Sequence, residues 1–199
     1  MKVAIFAVQY KVKFNEYPTT LNKEFQESFR NEFFNELIIQ ARSEKVNLAL
    51  LPDGFFRSDY PDRIVKFLKR NSPKINVLVG RDNTSGSKLE VLLVSPSGRI
   101  RKKIVEVYDQ YKRARKNKSK KKAILQGIRD RRFQINNKMY TVYSCGDVLV
   151  SEIRKASPLT YCKAAFVLAH YTARRFSSSM RKVGIPIFLS HHLKNPWSS

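Results

Sequence analysis

The sequence predicts an α/β protein in which strands and helices alternate along the first half of the chain. Short, continuous apolar runs at 3–8 and 46–51 have the composition of strands that are buried on both faces. Between them, the apolar residues of 22–42 are spaced four, four, four, one and three apart, which is the spacing of one helical face. From residue 89 onward, turn-forming residues separate strand-like runs, and this predicts β-hairpins.

The remaining elements follow from the same patterns in chain order. We expect a helix at 60–70, a strand at 75–79, and a hairpin joining 89–94 to 99–108 through the turn at 95–98. A second strand pair at 133–144 turns at Asn136 and Asn137, and Asp147 is placed to cap a helix at 148–155. Two further strands, at 164–168 and 185–189, flank a helix at 176–182.

Length and composition exclude several classes of protein. At 199 residues, we expect a single domain over 1–199, and 42% hydrophobic residues exclude an intrinsically disordered chain. Cys145 and Cys162 are too few for a disulfide framework or a four-thiolate zinc site. His191 and His192 are adjacent and would point to opposite faces of a strand, which argues against a metal shared between them. We expect neither a metal nor another cofactor. The sequence shows neither a signal peptide nor an apolar run of ~18 residues, so we expect a soluble cytoplasmic protein with no membrane partner.

The net charge is the unusual property of this sequence. Lys and Arg number 39 against 16 Asp and Glu, a balance of +23, and residues 101–132 hold fourteen of the cations with only three acids. The densest part, 112–122, is poor in apolar residues, and we expect an exposed loop that neutralises the phosphates of nucleic acid or another polyanion. Its predicted contacts are Lys112, Arg113, Arg115, Lys116, Lys118, Lys120, Lys121 and Lys122. A solvated loop without a ligand is the alternative, since the segment lacks interleaved aromatic residues that would stack on bases.

Two residues follow predicted strands and could carry chemistry. Asp53 comes after the strand at 46–51, and Cys145 comes after the strand that ends at Ser144. Functional groups of open α/β folds tend to lie beyond the carboxyl ends of strands. A cysteine that opens a helix gains thiolate character, and a carboxylate can accept its proton. The alternatives are a buried apolar role for Cys145 and a turn or capping role for Asp53.

Several segments resemble one family in the same order along the chain. The matching segments are Met1-Lys2-Val3-Ala4, Leu50-Leu51-Pro52-Asp53-Gly54-Phe55-Phe56, Pro96-Ser97-Gly98-Arg99-Ile100, Tyr108-Asp109-Gln110 and Cys145-Gly146-Asp147-Val148-Leu149-Val150-Ser151-Glu152-Ile153-Arg154. Together they resemble the nitrilase, or carbon–nitrogen hydrolase, superfamily. The resemblance implies an αββα sandwich of mixed sheets, here reduced at the C-terminus.

The same resemblance implies a Glu-Lys-Cys triad and a small amide or nitrile substrate. Cys145 would be the nucleophile that forms a thioester acyl-enzyme, Asp53 the general base and Lys112 the donor to the oxyanion. Lys103 is the other candidate lysine, and Lys112 is preferred because it follows Tyr111. A second copy of the chain is a further candidate partner.

Two positions depart from the family pattern. Asp53 is one methylene shorter than the family's glutamate, and Gln110 stands where the Tyr-x-Lys motif would have its lysine. These departures, together with the charge of +23, favour an alternative hypothesis. In that hypothesis the chain is a catalytically eroded relative that binds nucleic acid or a ribonucleoprotein through 101–132. A subunit that docks into a larger assembly through the same segment is a third hypothesis.

Overall fold

The computed structural model describes residues 1–5, 8–10, 23–52, 56–57, 61–71, 74–82, 89–114, 116–157, 159–169 and 174–194. The strands are β1 (Val3–Ile5), β2 (Val8–Tyr10), β3 (Leu48–Leu50), β4 (Phe56–Arg57), β5 (Asn76–Asp82), β6 (Leu89–Val94), β7 (Ile100–Val105), β8 (Arg132–Ile135), β9 (Lys138–Ser144), β10 (Cys162–Ala169) and β11 (Ile187–Lys194). The helices are α1 (Lys23–Ser43), α2 (Pro61–Asn71), α3 (Tyr108–Arg113), α4 (Lys118–Gly127), α5 (Ser151–Ala156) and α6 (Arg174–Arg181). No described helix is long and apolar enough to cross a membrane.

The strands form two mixed sheets. The first has the order β1-β3-β5-β6-β7, with β4 also paired to β5. Its first four strands in sequence (β1, β3, β4 and β5) pair in parallel, whereas β6 and β7 continue it as an antiparallel meander. The second sheet has the order β2-β11-β10-β9-β8 and is parallel except for the β8–β9 hairpin.

The two sheets pack face to face, with helices on their outer faces. Leu48 and Leu50 of β3 contact the apolar side chains of the second sheet, whereas Ala49 and the following Leu51 pack with α1 and α2. This alternation explains why the run 46–51 has no polar face. Successive side chains of the strand point to opposite sides of the sheet, and both sides are covered by other apolar side chains. On the far side, the second sheet packs against Val183 and the Met180 side chain of α6. The predicted αββα sandwich of mixed sheets is confirmed.

Both predicted hairpins are present, and residues with positive φ turn each of them. Gly98 has a φ of +71°, and a Cβ added there would lie 2.6 Å from the Val65 carbonyl oxygen of α2. Only glycine therefore fits this turn. Asn136 and Asn137 have φ values of 49° and 59°, the pair of positive values that a two-residue type I′ hairpin requires.

Two predicted boundaries are wrong. The run 3–8 was expected to form one strand, but β1 pairs with β3 in the first sheet and β2 pairs with β11 in the second. The segment 112–122 was expected to be an exposed loop, but it contains the end of α3 and the first half of α4. The Asn117 side chain caps α4 by accepting the Lys120 N–H at 2.8 Å, and the apolar side chains of Ile124 and Leu125 anchor the helix.

The region after Cys145 also differs from the prediction. In place of one helix at 148–155, a single 3₁₀ turn (Asp147–Leu149) precedes α5. The residue in the N-cap position of this turn is Gly146, and that of α5 is Val150, so Asp147 occupies neither capping position. The Asp147 side chain is completely buried and accepts the Val107 N–H at 3.0 Å, forty residues away. Asp147 therefore joins two distant segments and does not act as a cap.

Candidate active site around Cys145

Cys145 lies directly after β9 and is half-buried, while the last five residues of that strand are buried. A helix that begins directly after Cys145 was expected to stabilise its thiolate, but the residues that follow form only one 3₁₀ turn, Asp147–Leu149. The neighbouring backbone donor is also occupied, because the Gly146 N–H binds the Glu106 carboxylate. The chemistry of this thiol must therefore depend on the side chains around it.

The first of those side chains is Glu106, which follows β7. Its Oε1 atom accepts the Gly146 N–H at 2.8 Å and the Ser144 hydroxyl at 3.3 Å. This carboxylate thus binds the residues on both sides of Cys145. Sequence reasoning missed Glu106. Two sequence features could have indicated it: Glu106 lies near the end of a predicted hairpin strand, and it is one of only three acids in 101–132.

Asp147 supplies the second carboxylate, and its buried partner is Arg131. The Arg131 Nη1 atom lies 2.6 Å from the Asp147 Oδ2 atom, and Arg131 Nη2 donates to the Val105 carbonyl oxygen at 3.0 Å. Burial raises the pKa of the Asp147 carboxyl, and the charge of Arg131 and the Val107 N–H oppose that rise. Arg131 is one of the fourteen cations counted in 101–132, and it is 2% exposed, so it belongs to the interior.

Glu106 and Asp147 therefore hold two segments together reciprocally. The Glu106 side chain binds the segment that contains Cys145, and the Asp147 side chain binds the backbone next to Glu106. We call this arrangement the carboxylate clasp. Its two halves come from the ends of β7 and β9, which belong to different sheets. The position of Cys145 is thus determined by the packing of the two sheets, and not by local sequence alone.

The carboxylate clasp requires glycine at position 146, because Tyr108 and Glu106 occupy the space of a side chain there. A Cβ at this position would lie 2.5 Å from Tyr108 Cγ and 2.7 Å from Glu106 Oε1, distances that real Cβ atoms do not show. The Tyr108 ring therefore packs directly on the residue after the thiol. On the same ring, the Lys112 Nζ atom lies 4.2 Å from the centroid, a cation–π distance.

The structure describes only part of the predicted triad. Asp53 lies outside the described residues, so its pairing with Cys145 stays a prediction. Lys112 is an exposed residue of α3, and Tyr108 connects it to the Cys145 segment. The other candidate, Lys103, pairs with the buried Glu90 carboxylate at 2.7 Å on the first sheet. Of the two candidate lysines, Lys112 is thus the one with a described link to the thiol segment.

The second cysteine has a different environment. Cys162 begins β10 and is 9% exposed. Burial raises the pKa of its thiol, so the reactive thiolate form is disfavoured at neutral pH. Cys162 therefore belongs to the core. Within the described ranges, no three His, Cys, Asp or Glu side chains gather as a metal site.

The predicted polyanion contacts lie on α3, on α4 and between these helices. Arg115 is outside the described residues, and Lys121 is half-buried, with its Nζ atom 4.7 Å from the Tyr111 ring centroid. The other predicted contacts share an exposed position; they are Lys112, Arg113, Lys116, Lys118, Lys120 and Lys122. These cations are carried mainly by ordered helices, so their spacing is defined by the fold.

Comparison with known proteins identifies the fold. No family model matches the chain, and no curated protein matches it significantly. Among solved structures, the NitN amidase from Nesterenkonia sp. AN1 is similar, with a TM-score of 0.61 and 10% identity, covering 100% of this chain and 78% of that chain. An alanine variant of this amidase in complex with butyramide has a TM-score of 0.62 at 10% identity, over 97% and 76% of the two chains.

A third structure shows the acetamide moiety of fluoroacetamide added covalently at the active-site cysteine of a Nesterenkonia sp. AN1 amidase variant. Its TM-score is 0.63 at 10% identity, over 97% of this chain and 76% of that chain. Another similar structure is described as an amidase from the nitrilase superfamily. At this level of identity the likeness shows the fold alone: the chain has the fold of the nitrilase-superfamily amidases.

Proposed function

We propose that this chain is a carbon–nitrogen hydrolase that cleaves small amides or nitriles with Cys145 as its nucleophile. The observation that carries the proposal is the placement of a half-buried thiol after β9, with the Glu106 carboxylate bound to the residues on both sides of it. The fold adds support, because a structural neighbour is modified covalently at its active-site cysteine. A cysteine of purely structural use would more often be buried in the core, as Cys162 is.

The proposed reaction of an amide has two halves. The Cys145 sulfur attacks the carbonyl carbon, the thiol proton passes to a carboxylate, and the carbonyl oxygen becomes an oxyanion. The oxyanion then collapses, the carbon–nitrogen bond breaks, and the carboxylic acid returns the proton to the departing amine. Water next attacks the thioester carbon, which releases the carboxylic acid product and restores the thiol.

The roles of the other residues form part of this proposal. Asp53 is the general base that the resemblance implies, and Glu106 is a second carboxylate next to the thiol segment. Lys112 is the proposed donor to the oxyanion; the position of its Nζ atom over the Tyr108 ring, which packs on Gly146, supports this role. The clasp holds the Cys145 segment in place, since a displacement of ~1 Å can lower the rate ~100-fold.

The test is the release of ammonia from butyramide, acetamide and acrylamide. Cys145→Ala should lower the rate by about three orders of magnitude or more, and Lys112→Gln by about 100-fold to 1,000-fold. Cys162→Ala is the matched control, because it removes the other thiol and should keep most of the activity. Equal activity of the parent and Cys145→Ala would exclude the proposed function.

The second candidate function is binding of nucleic acid, and the lysines of α4, three of them exposed and Lys121 half-buried, favour it. Lys118, Lys120, Lys121 and Lys122 occupy two turns of one capped helix and give a dense positive surface. If four cations meet phosphates, the log–log salt slope for duplex binding should be about −3 to −4, with little dependence on sequence. Replacing these four lysines with Gln should flatten the slope. Failure of the parent to bind at ~100 mM salt would leave hydrolysis as the remaining candidate.

A further inference from the structure

A surface cavity lies at the junction of α3, α4 and α5. Its volume is about 420 Å³, within the range of small-molecule sites. The residues that line it are Tyr111, Lys118, Lys121, Lys122, Leu125, Gln126 and Ala156. Three lysines thus line one cavity.

The helix geometry explains why these lysines converge. Lys121 and Lys122 are three and four residues after Lys118, so all three share one face of α4. Like charges at this spacing repel each other and destabilise a helix. Lys120 lies between them in sequence and does not line the cavity. A bound anion would relieve the repulsion among the three lysines.

One carboxylate lies next to this group of cations. The hydrogen bond from the Ser151 hydroxyl, 2.8 Å long, lowers the pKa of Glu152, and the Tyr111 hydroxyl and the Lys121 charge lower it further. Three lysines and one glutamate leave a balance of +2 at the cavity. A phosphate monoester carries about −1.5 to −2 charges at pH 7, which complements this balance.

The remaining lining suits the organic part of a ligand. Leu125, Ala156 and the Tyr111 ring give an apolar wall, and the Gln126 amide adds a polar group. We infer that this cavity binds a phosphate group carried by an organic molecule, with the three lysines around the phosphate. The phosphate could belong to a free nucleotide or to a nucleic-acid strand. This inference does not depend on hydrolysis at Cys145.

The test uses calorimetric titration with inorganic phosphate, adenosine monophosphate and a single-stranded oligoribonucleotide at ~50 and ~100 mM salt. The cavity variant replaces Lys118, Lys121 and Lys122 with Gln. The matched control replaces Lys45, Lys138 and Lys182 with Gln, which removes the same charge from exposed positions that do not line the cavity and are not predicted polyanion contacts. Circular dichroism should show that both variants keep the fold of the parent.

We expect adenosine monophosphate to bind the parent and to lose at least about 10-fold in affinity in the cavity variant, with less than about 3-fold loss in the control. Binding of the oligoribonucleotide alone, with the same dependence on the cavity lysines, would identify a strand phosphate as the ligand. Equal losses in both variants would overturn the inference, since they would show diffuse attraction to the positive surface. Absence of binding by both adenosine monophosphate and the oligoribonucleotide at ~100 mM salt would also overturn it.

Discussion

The buried ion pair between Arg131 and Asp147 anchors the segment that contains Cys145, and its loss should be costly. Their side chains are 3% and 0% exposed, with 2.6 Å between the paired atoms. Asp147→Asn keeps the size of the side chain and removes its charge, so the Arg131 guanidinium stays buried without its counter-ion. Breaking one half of such a pair costs about 3–5 kcal/mol. For a chain of this size the Tm should fall by about 6–20 °C.

Urea denaturation followed by circular dichroism measures this loss directly. Glu44→Gln is the matched control, because it removes the carboxylate of an exposed pair with Lys2, whose paired atoms are 3.0 Å apart. An exposed pair contributes at most about 1 kcal/mol. Asp147→Asn should therefore lower the free energy of unfolding several times more than Glu44→Gln. Equal losses would refute the reasoning that the clasp is a buried, stabilising contact.

Three further predictions concern single positions. Gly146→Ala should lower the free energy of unfolding by about 1–3 kcal/mol and slow amide hydrolysis, as urea titration and an activity assay would show. Gly127→Ala is the control and should leave the stability and the rate nearly unchanged, because an added Cβ there meets no described atom within 4 Å. Iodoacetamide should modify Cys145 well before Cys162, as peptide mass mapping would show, and equal slow labelling would contradict this. Burial raises the pKa of the Tyr143 phenol, so the folded state holds this proton more tightly and loses stability as the pH rises above ~10. Between pH ~9 and ~11 the parent should lose more free energy of unfolding than Tyr143→Phe, and parallel losses would contradict the assignment.

The hairpins were predictable from sequence because their turns depend on local backbone conformation. Gly98, Asn136 and Asn137 adopt positive φ values that few other residues tolerate, so the residue types indicate the turns. Continuous apolar runs likewise indicated buried strands. The partition of 3–10 into β1 and β2 was not predictable, because the two strands pair with partners about 45 and 180 residues further along the chain.

The helix α4 was missed for a different reason. Its charge density is typical of a solvated segment, and this obscured the capping residue Asn117 and the good helix-forming residues that follow it. The apolar anchors Ile124 and Leu125 lie just beyond the charged run, where they were not counted with it. The composition of this segment indicated a solvated loop, whereas its capping residue and helix-forming residues favoured a helix. The packing of Ile124 and Leu125 stabilises the helix.

The candidate site was predictable only in its local part. Cys145 was identified because a cysteine at the end of a predicted strand stands in the segment that resembles the family. Glu106 and Asp147 were not assigned their roles, since each acts on a backbone segment about forty residues away. Glu106 lies in a basic segment and Asp147 was predicted to cap a helix, so the sequence around each gave no sign that the two residues would lie close together.

The most direct test of the account is detection of an acyl group on Cys145 during turnover. The parent chain is mixed with butyramide, quenched with acid within the first turnovers, and digested for mass mapping. We predict a butyryl thioester on the peptide that contains Cys145, and its absence from Cys145→Ala. Hydrolysis without any adduct on this peptide, or an adduct that maps to Cys162, would contradict the assignment of Cys145 as the nucleophile.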